Sequence, residues 1–294
     1  MLPEITAQQI IERMQKNLGV PWKGSDADKF YAGAPDTRIT GIATTWTPSL
    51  EVLRRAADAN LNMIISRESP YWLHDSAAAE FSGAGAPFKK DQLLNDPTYK
   101  FKQEFIAKNN LVFYRFRDNW DARKTDGQLE ALTSALGWAN YQIKNFVSSN
   151  HSYFDLPASA LEQMAVSIQG QLKTRVVRVL GDPLSRIRKV ALTHGFLLVP
   201  ALAEVLQAGD VDAVLTGEPV EWEALPYFED WISAGEGKAM IILGHEASEE
   251  PGSGEIAAWM KSFVTEIPVK WLPAGEPFWS GNSGNPNPAQ QINR

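Results

Sequence analysis

The stretch ITGIATTWTPSLEVLRRAADANLNMIIS (residues 39–66) combines the signals of a strand, a helix and a second strand. Residues Ile39 to Thr44 predict the first strand. Thr47-Pro48 predicts a helix start, because a capping residue precedes a proline at the first helical position. Met63-Ile64-Ile65 predicts a short buried strand. Strands that alternate with helices are typical of an α/β sheet, so this stretch decides the predicted fold class.

The same alternation continues along the chain and then restarts. A predicted strand at Leu111–Phe116 is followed by a predicted helix at Leu129–Leu136. After residue 160 a new strand is predicted at Thr174–Leu180, and Asp182-Pro183 predicts the start of another helix. Further strands are predicted at Phe196–Val199, Ala213–Leu215, Met240–Leu243 and Pro268–Leu272.

The restart predicts an α/β fold with two α/β domains and mixed sheets, the second domain inserted into the first. We expect residues 1–155 with 240–275 to form a discontinuous domain that carries the functional site. Residues 156–239 are expected to form the inserted domain. Residues 276–294 are rich in Gly, Pro, Asn and Ser and are expected to be a flexible tail.

Composition limits the classes of function. The 294-residue chain is 44% hydrophobic and 21% charged, which is typical of globular proteins. Its net charge is −7 and it has no long Lys/Arg run, so we expect no nucleic-acid partner. Absence of cysteine excludes disulfides and thiolate sites. With only four histidines, any metal site must be mostly oxygen-liganded.

The chain shows no sequence signal for a membrane or for export. No apolar run approaches the ~20 residues that a bilayer span requires. The N-terminus MLPEITAQQ lacks the basic and apolar parts of a signal peptide. We therefore expect a cytoplasmic protein without a membrane partner.

Ligands of open α/β sheets bind beyond the carboxyl ends of strands, so we searched those positions for polar clusters. Four predicted strands run into polar residues, and three of these four stretches contain a motif-like cluster. The stretches are Ser66-Arg67-Glu68, residues 117–121 (RDNWD), Thr216-Gly217-Glu218 and residues 244–249 (GHEASE).

His245 and Glu249 are four residues apart, which places both side chains on one face of a helix. An imidazole and a carboxylate on one face can hold a divalent ion. The alternative is an exposed helix start, where acidic residues favour the positive end of the helix dipole. The other histidines have weaker patterns, since His74 lies in an aromatic loop and neither His151 nor His194 has an acidic partner pattern.

The remaining strand-end residues also allow two interpretations. Glu68 and Asp121 are candidate ligands, but Glu68 alone is more often a solvated loop carboxylate and Asp121 alone is more often a turn or cap residue. Arg67 and Arg117 are either surface side chains or partners of these two acids. The Thr216-Gly217-Glu218 cluster could be no more than a turn between a strand and a helix.

Taken together, these clusters resemble one family. The segments are GIATTW (41–46), IISRESPYWLHD (64–75), FRDNWDAR (116–123), RVVRVLGDP (175–183), DAVLTGE (212–218) and ILGHEASEE (242–250). Their order resembles the NIF-three-like family of dinuclear-metal proteins, which includes homologues of GTP cyclohydrolase I type two. The resemblance implies a metal pair at strand ends and a homohexamer.

Carried over by position, the resemblance makes Glu68, Asp121, His245 and Glu249 metal ligands. Glu68 would hold a second metal or act as the catalytic base. The resemblance also implies a divalent cofactor, which is zinc, manganese or iron.

Two arginines depart from the family pattern. Arg67 and Arg117 stand where the family has histidines, and arginine cannot ligate a metal because it keeps its proton. The pair would instead bind an anion or form ion pairs with the acids. We therefore expect at most one tightly bound metal per chain.

Three functions remain open at this point. The first is a metal-dependent hydrolase or cyclohydrolase that acts on an anionic small molecule. The second is a metal-depleted homologue that binds such a molecule without catalysis. The third is a scaffold that acts only as a ring of identical subunits.

Overall fold

The computed structural model describes residues 4–72, 93–123, 126–143, 151–207 and 210–278. His74 and nearly all of the predicted tail lie outside these residues. None of the helices in this described part of the chain is long and apolar enough to span a bilayer.

The chain divides into two compact units. Unit 1 consists of Met1–Lys124 and Ser253–Ala274, and unit 2 comprises Thr125–Gly252 with the chain from Gly275 onward. The predicted α/β fold, with mixed sheets and one domain inserted into the other, is confirmed. The unit boundaries differ from the predicted ones at residues 155 and 240.

Unit 1 contains a five-stranded sheet in the order β1-β4-β3-β2-β12. Strands β2, β3, β4 and β12 run parallel, and β1 is antiparallel to β4. The strands are β1 (Phe30–Ala32), β2 (Ile42–Thr45), β3 (Met63–Ser66), β4 (Val112–Arg115) and β12 (Val269–Trp271). The helices are α1 (Ala7–Asn17), α2 (Leu50–Asp58), α3 (Pro97–Lys108) and α4 (Asp118–Asp121).

The opening strand–helix–strand stretch forms as predicted, with shifted ends. Helix α2 is capped by Ser49, whose hydroxyl accepts a hydrogen bond from the Val52 amide at 3.3 Å, rather than by Thr47. Every residue of β2 and β3 is buried. Complete burial explains why these strands are runs of apolar and small residues, because sheets with both faces covered have no solvent side.

Unit 2 contains a second five-stranded sheet in the order β5-β7-β9-β11-β6. Strands β7, β9 and β11 are parallel neighbours, flanked by the antiparallel strands β5 and β6. The strands are β5 (Ser152–Ala160), β6 (Arg178–Leu180), β7 (Arg186–Leu192), β8 (Phe196–Leu197), β9 (Ala213–Thr216), β10 (Glu218–Pro219) and β11 (Ala239–Ile242), of which β8 and β10 form a small parallel pair. The helices are α5 (Gly127–Ala135), α6 (Leu161–Leu172), α7 (Val199–Gln207), α8 (Glu221–Ser233) and α9 (His245–Lys261).

The predicted return of residues 240–243 to the N-terminal sheet is wrong. Strand β11 lies between β9 and β6 in the sheet of unit 2, and all four of its residues are buried. The chain re-enters unit 1 later, at Ser253 within helix α9. Only β12 returns to the first sheet, where it pairs with β2.

The helix predicted to start at Asp182-Pro183 is also wrong. The Asp182 side chain accepts a hydrogen bond from the Leu184 amide at 2.9 Å, and its carbonyl accepts one from the Ser185 amide. These two bonds close a tight turn, which is an alternative use of the residues that cap helices. Strand β7 follows directly after the turn.

Candidate metal centre

Three parallel neighbours in the sheet of unit 2 each end in a polar residue. His194 follows β7, Glu218 follows β9 and His245 follows β11. The carboxyl ends of parallel strands meet at one edge of a sheet, so the topology brings these side chains together. Glu249 joins them from the second turn of α9.

His245 and Glu249 form the predicted pair on one helix face. The Nε2 atom of His245 lies 3.2 Å from Oε2 of Glu249, and the Glu249 side chain is only 2% exposed. The other ring nitrogen, Nδ1, lies 2.9 Å from Oε2 of Glu218. A carboxylate on one imidazole nitrogen orients the ring and leaves the other nitrogen for a ligand.

His194 lies between two carboxylates, which contradicts the expectation that it has no acidic partner. Its Nδ1 is 2.9 Å from Oε1 of Glu249, and its Nε2 is 3.2 Å from Oδ2 of Asp126. The second oxygen of Asp126 caps helix α5 by accepting from the Gln128 and Leu129 amides. His194 therefore connects the start of one helix to Glu249.

The two carboxylates determine the charge of this imidazole. Burial alone would lower the pKa of His194, but the hydrogen bonds to Asp126 and Glu249 outweigh it and raise the pKa to about 9. Burial would raise the pKa of Asp126, and the bond from His194 with the two helix amides lowers it instead. The hydrogen bond from His245 lowers the pKa of Glu218.

Two glycines leave room for these side chains. Gly195 has φ of +59°, and a Cβ atom there would lie 2.5 Å from Oε1 of Glu249 and 3.4 Å from Nε2 of His245. A Cβ at Gly217 would lie 2.4 Å from the Gly195 carbonyl. The hydroxyl of Ser248 accepts from the Gly195 amide and donates to the His245 carbonyl, which fixes the loop against α9.

In unit 1 the arginine that follows β3 pairs with the acid at the end of α4. Arg67 donates from Nη1 and Nη2 to the two oxygens of Asp121, at 2.8 and 3.0 Å. The Arg67 side chain is 2% exposed. A bidentate pair of this kind is strong and geometrically specific, and it occupies both carboxylate oxygens.

Asp28 holds the turn that carries Asp121. Its carboxylate accepts four hydrogen bonds of 2.7–3.0 Å, from the backbone amides of Arg117, Asp118 and Asn119 and from the Asn119 side chain. Asp28 is 8% exposed, so this turn has a buried anchor. The four donors compensate the charge of the Asp28 carboxylate, which explains why its burial is tolerated.

A further arginine, which the sequence patterns did not identify, lies beside Glu68. Arg115 is buried at the end of β4, donates from Nε to the Arg67 carbonyl at 2.8 Å, and has Nη2 3.8 Å from Oε2 of Glu68. Arg117 is half-buried, and its guanidinium has no hydrogen bond or ion pair with any residue that the structure describes.

Two donors of unit 2 are of the types that bind a divalent ion. His245 and Glu249 offer a nitrogen and an oxygen on one helix face, and Glu218 orients the imidazole as an outer-shell carboxylate does. Asp121 does not fit a second ion in the same way, because Arg67 uses both of its oxygens. The structure thus groups His245 with Glu249 and Arg67 with Asp121. Convergence of Glu68 and Asp121 with the other two ligands stays a prediction.

Comparison with known proteins gives consistent matches. Residues 85–273 match the family described as Duf34/NIF3 (NGG1p interacting factor 3). A Chlamydia pneumoniae protein called "GTP cyclohydrolase 1 type 2 homolog" is 24% identical over 262 residues, which cover 84% of this chain and 88% of that protein.

Solved structures share the fold at low identity. Staphylococcus aureus protein SA1388 is 16% identical with a TM-score of 0.68, covering 94% of this chain and 99% of that one. A Bacillus cereus protein related to NIF3 is 14% identical with a TM-score of 0.67, covering 94% and 98%.

Proposed function

Because the chain belongs to the Duf34/NIF3 family, we propose that it binds one divalent metal ion, zinc, manganese or iron, and uses it to hydrolyse an anionic small molecule. The observation that carries this proposal is the contact of 3.2 Å between Nε2 of His245 and Oε2 of Glu249. A bound divalent ion would polarise a substrate bond and lower the pKa of a bound water molecule.

The residues of the chain would have distinct roles. His245 and Glu249 hold the ion, and Glu218 keeps the imidazole in its ligating orientation. Glu68 serves as a third ligand or as the base that accepts a proton from water. Arg117 binds the anionic group of the substrate, since no side chain in the described part of the chain engages its guanidinium.

The name of the Chlamydia pneumoniae relative indicates the class of substrate. GTP, which that name contains, is an anionic small molecule. At 24% identity, we carry over the metal-assisted hydrolysis of an anion but not GTP itself.

Metal analysis tests the proposal directly. Protein purified without chelator should contain about one zinc, manganese or iron ion per chain. His245→Ala and Glu249→Gln should each lose it, since each removes one of the two paired donors. Thr40→Ala, far from these residues in sequence and on an exposed side chain of unit 1, is the control and should keep it. Metal-free wild-type protein would refute the proposal.

A separate experiment tests the expected stoichiometry of one metal ion per chain. Arg67→His combined with Arg117→His removes two fixed positive charges and supplies two neutral imidazoles, so calorimetric titration should give a higher metal stoichiometry than the wild type. Equal stoichiometry in both proteins, or two ions already in the wild type, would contradict the expected single site.

A second function has its own support. The bidentate Arg67–Asp121 pair gives Asp121 a positive partner without any metal. A metal-depleted homologue that binds an anion without turnover would use such a pair. Calorimetry with inorganic phosphate on metal-free protein distinguishes the two functions, because only the second requires binding under these conditions.

A further inference from the structure

His194 is neither one of the predicted site residues nor a ligand in the function proposed above. It nevertheless contacts Glu249 directly and has one hydrogen bond on each ring nitrogen. Its side chain is 12% exposed, as is that of Asp126.

The bonds of Glu249 define what His194 does. Oε1 of Glu249 lies 2.9 Å from Nδ1 of His194, and Oε2 lies 3.2 Å from Nε2 of His245. The two oxygens therefore face different histidines, and Oε2 is the oxygen that lies 3.2 Å from Nε2 of His245. The Glu249 side chain is 2% exposed, so its orientation depends on protein contacts and hardly on solvent.

We propose that His194 is a positioning residue, which Asp126 anchors and which turns the Glu249 carboxylate so that Oε2 faces His245. This inference rests on the proposed function, because it concerns how a ligand of the proposed metal is oriented. Partners of ligating carboxylates hold them in place, and their loss typically weakens metal binding by about 10–100-fold.

The anchoring of His194 is fixed by the start of helix α5. Oδ1 of Asp126 accepts hydrogen bonds from the Gln128 and Leu129 amides, and Oδ2 is hydrogen-bonded to His194. An aspartate that caps a helix has little freedom to rotate, because moving it would expose two amide donors. The orientation of the His194 imidazole is therefore fixed by a residue at the start of a helix, which has less freedom to move than an exposed side chain.

Three variants test the inference through the affinity for zinc and manganese, measured by calorimetry. His194→Phe keeps the ring but removes both hydrogen bonds, and should weaken binding by about 10–100-fold. His194→Asn places an amide donor near the position of Nδ1 and should bind closer to the wild type than to His194→Phe. Asp126→Asn keeps the helix cap, because asparagine caps as well as aspartate, and should give an intermediate loss.

Two further measurements separate this role from a structural one and from the proposed function. Thermal unfolding of the metal-free variants must show a folded protein, and the Asp126→Asn variant serves if His194→Phe does not fold. Equal or tighter metal binding in the folded His194 and Asp126 variants would overturn the positioning role alone. Absence of metal binding in the wild type would overturn the positioning role and the proposed function together.

Discussion

Gly195 combines a left-handed backbone conformation with a close neighbour. Its φ is +59°, and a Cβ would lie 2.5 Å from Oε1 of Glu249. Gly237 has φ of +60° with no atom within 4 Å of its Cβ position, which makes it a matched control. The two positions separate the cost of backbone strain from the cost of a clash.

We predict that Gly237→Ala lowers the free energy of unfolding by about 1–2 kcal/mol, the cost of a left-handed non-glycine residue. Gly195→Ala should lower it by about 2–4 kcal/mol, because overpacking adds to the same strain. Urea denaturation of both variants measures the difference. Equal losses would show that Glu249 moves aside without cost.

Lys102 is a buried cation outside the candidate site. Its side chain lies in α3 with Nζ 5.0 Å from the centre of the Trp72 ring, and the residue is 2% exposed. Burial lowers the pKa of Lys102 to about 8. Between pH of about 8 and the ordinary lysine pKa of 10.5, Lys102 therefore carries its proton in the unfolded chain but has lost it in the folded chain.

Stability of the wild type should consequently rise with pH across this window, because proton release favours the folded state. At pH 7 the charged Lys102 costs stability, so Lys102→Met should raise the free energy of unfolding by about 1–3 kcal/mol. Lys100→Met, at an exposed position of the same helix, should change it little. Denaturation curves of the wild type and both variants at pH 7 and pH 10 measure these differences in the free energy of unfolding. A loss of stability in Lys102→Met at pH 7 would mean that the contact with Trp72 outweighs desolvation.

At the scale of elements, the turn at residues 117–119 depends on a side chain distant in sequence. Asp28→Ala would leave four donors without their acceptor in a buried place. We predict a loss of about 3–5 kcal/mol in the free energy of unfolding, since each unsatisfied buried donor is costly. Asp26→Ala, at an exposed position in the same loop, is the control and should be nearly neutral. Thermal unfolding of both variants is the measurement, and similar values for the two would contradict the anchoring role of Asp28.

Local signals in the sequence predicted part of the fold and of the site. The strand–helix–strand stretch and the His245–Glu249 pair are local patterns, and both are observed. His194 was missed because Asp182-Pro183 suggested a helix where β7 forms, so its position at a strand end was not recognised. Its pairing with Asp126 joins two residues that are 68 positions apart in the sequence, and no local spacing reports such a contact.

Arg115 was missed for a related physical reason. It lies inside the strand predicted at Leu111–Phe116, whereas the candidate site residues were sought only beyond the carboxyl ends of strands. Its burial follows from the neighbouring strand, whose following residue Arg67 supplies a carbonyl acceptor. Tertiary contacts, rather than the residue type, decided its position.

For the whole molecule, we predict a hexamer, as the family resemblance implies. Unit 2 carries large apolar side chains on its surface that could contribute to subunit contacts, including Trp222 at 77% exposure and Leu184 at 76%. Light scattering at micromolar concentration should return six times the 32.6 kDa mass of one chain. A mass of one chain would contradict the prediction decisively.

Helix α9 has a consequence for any attempt to dissect the protein into fragments. It starts with His245 in unit 2, and the boundary falls between Gly252 and Ser253, beyond which Ile256 and Met260 belong to the core of unit 1. A fragment trimmed at Gly252 would leave a helix well below the ~12–15 residues that are marginally stable alone. Truncation at that boundary would therefore unfold the segment that contains His245 and Glu249. A fragment that preserves this segment must include the whole helix, through Lys261.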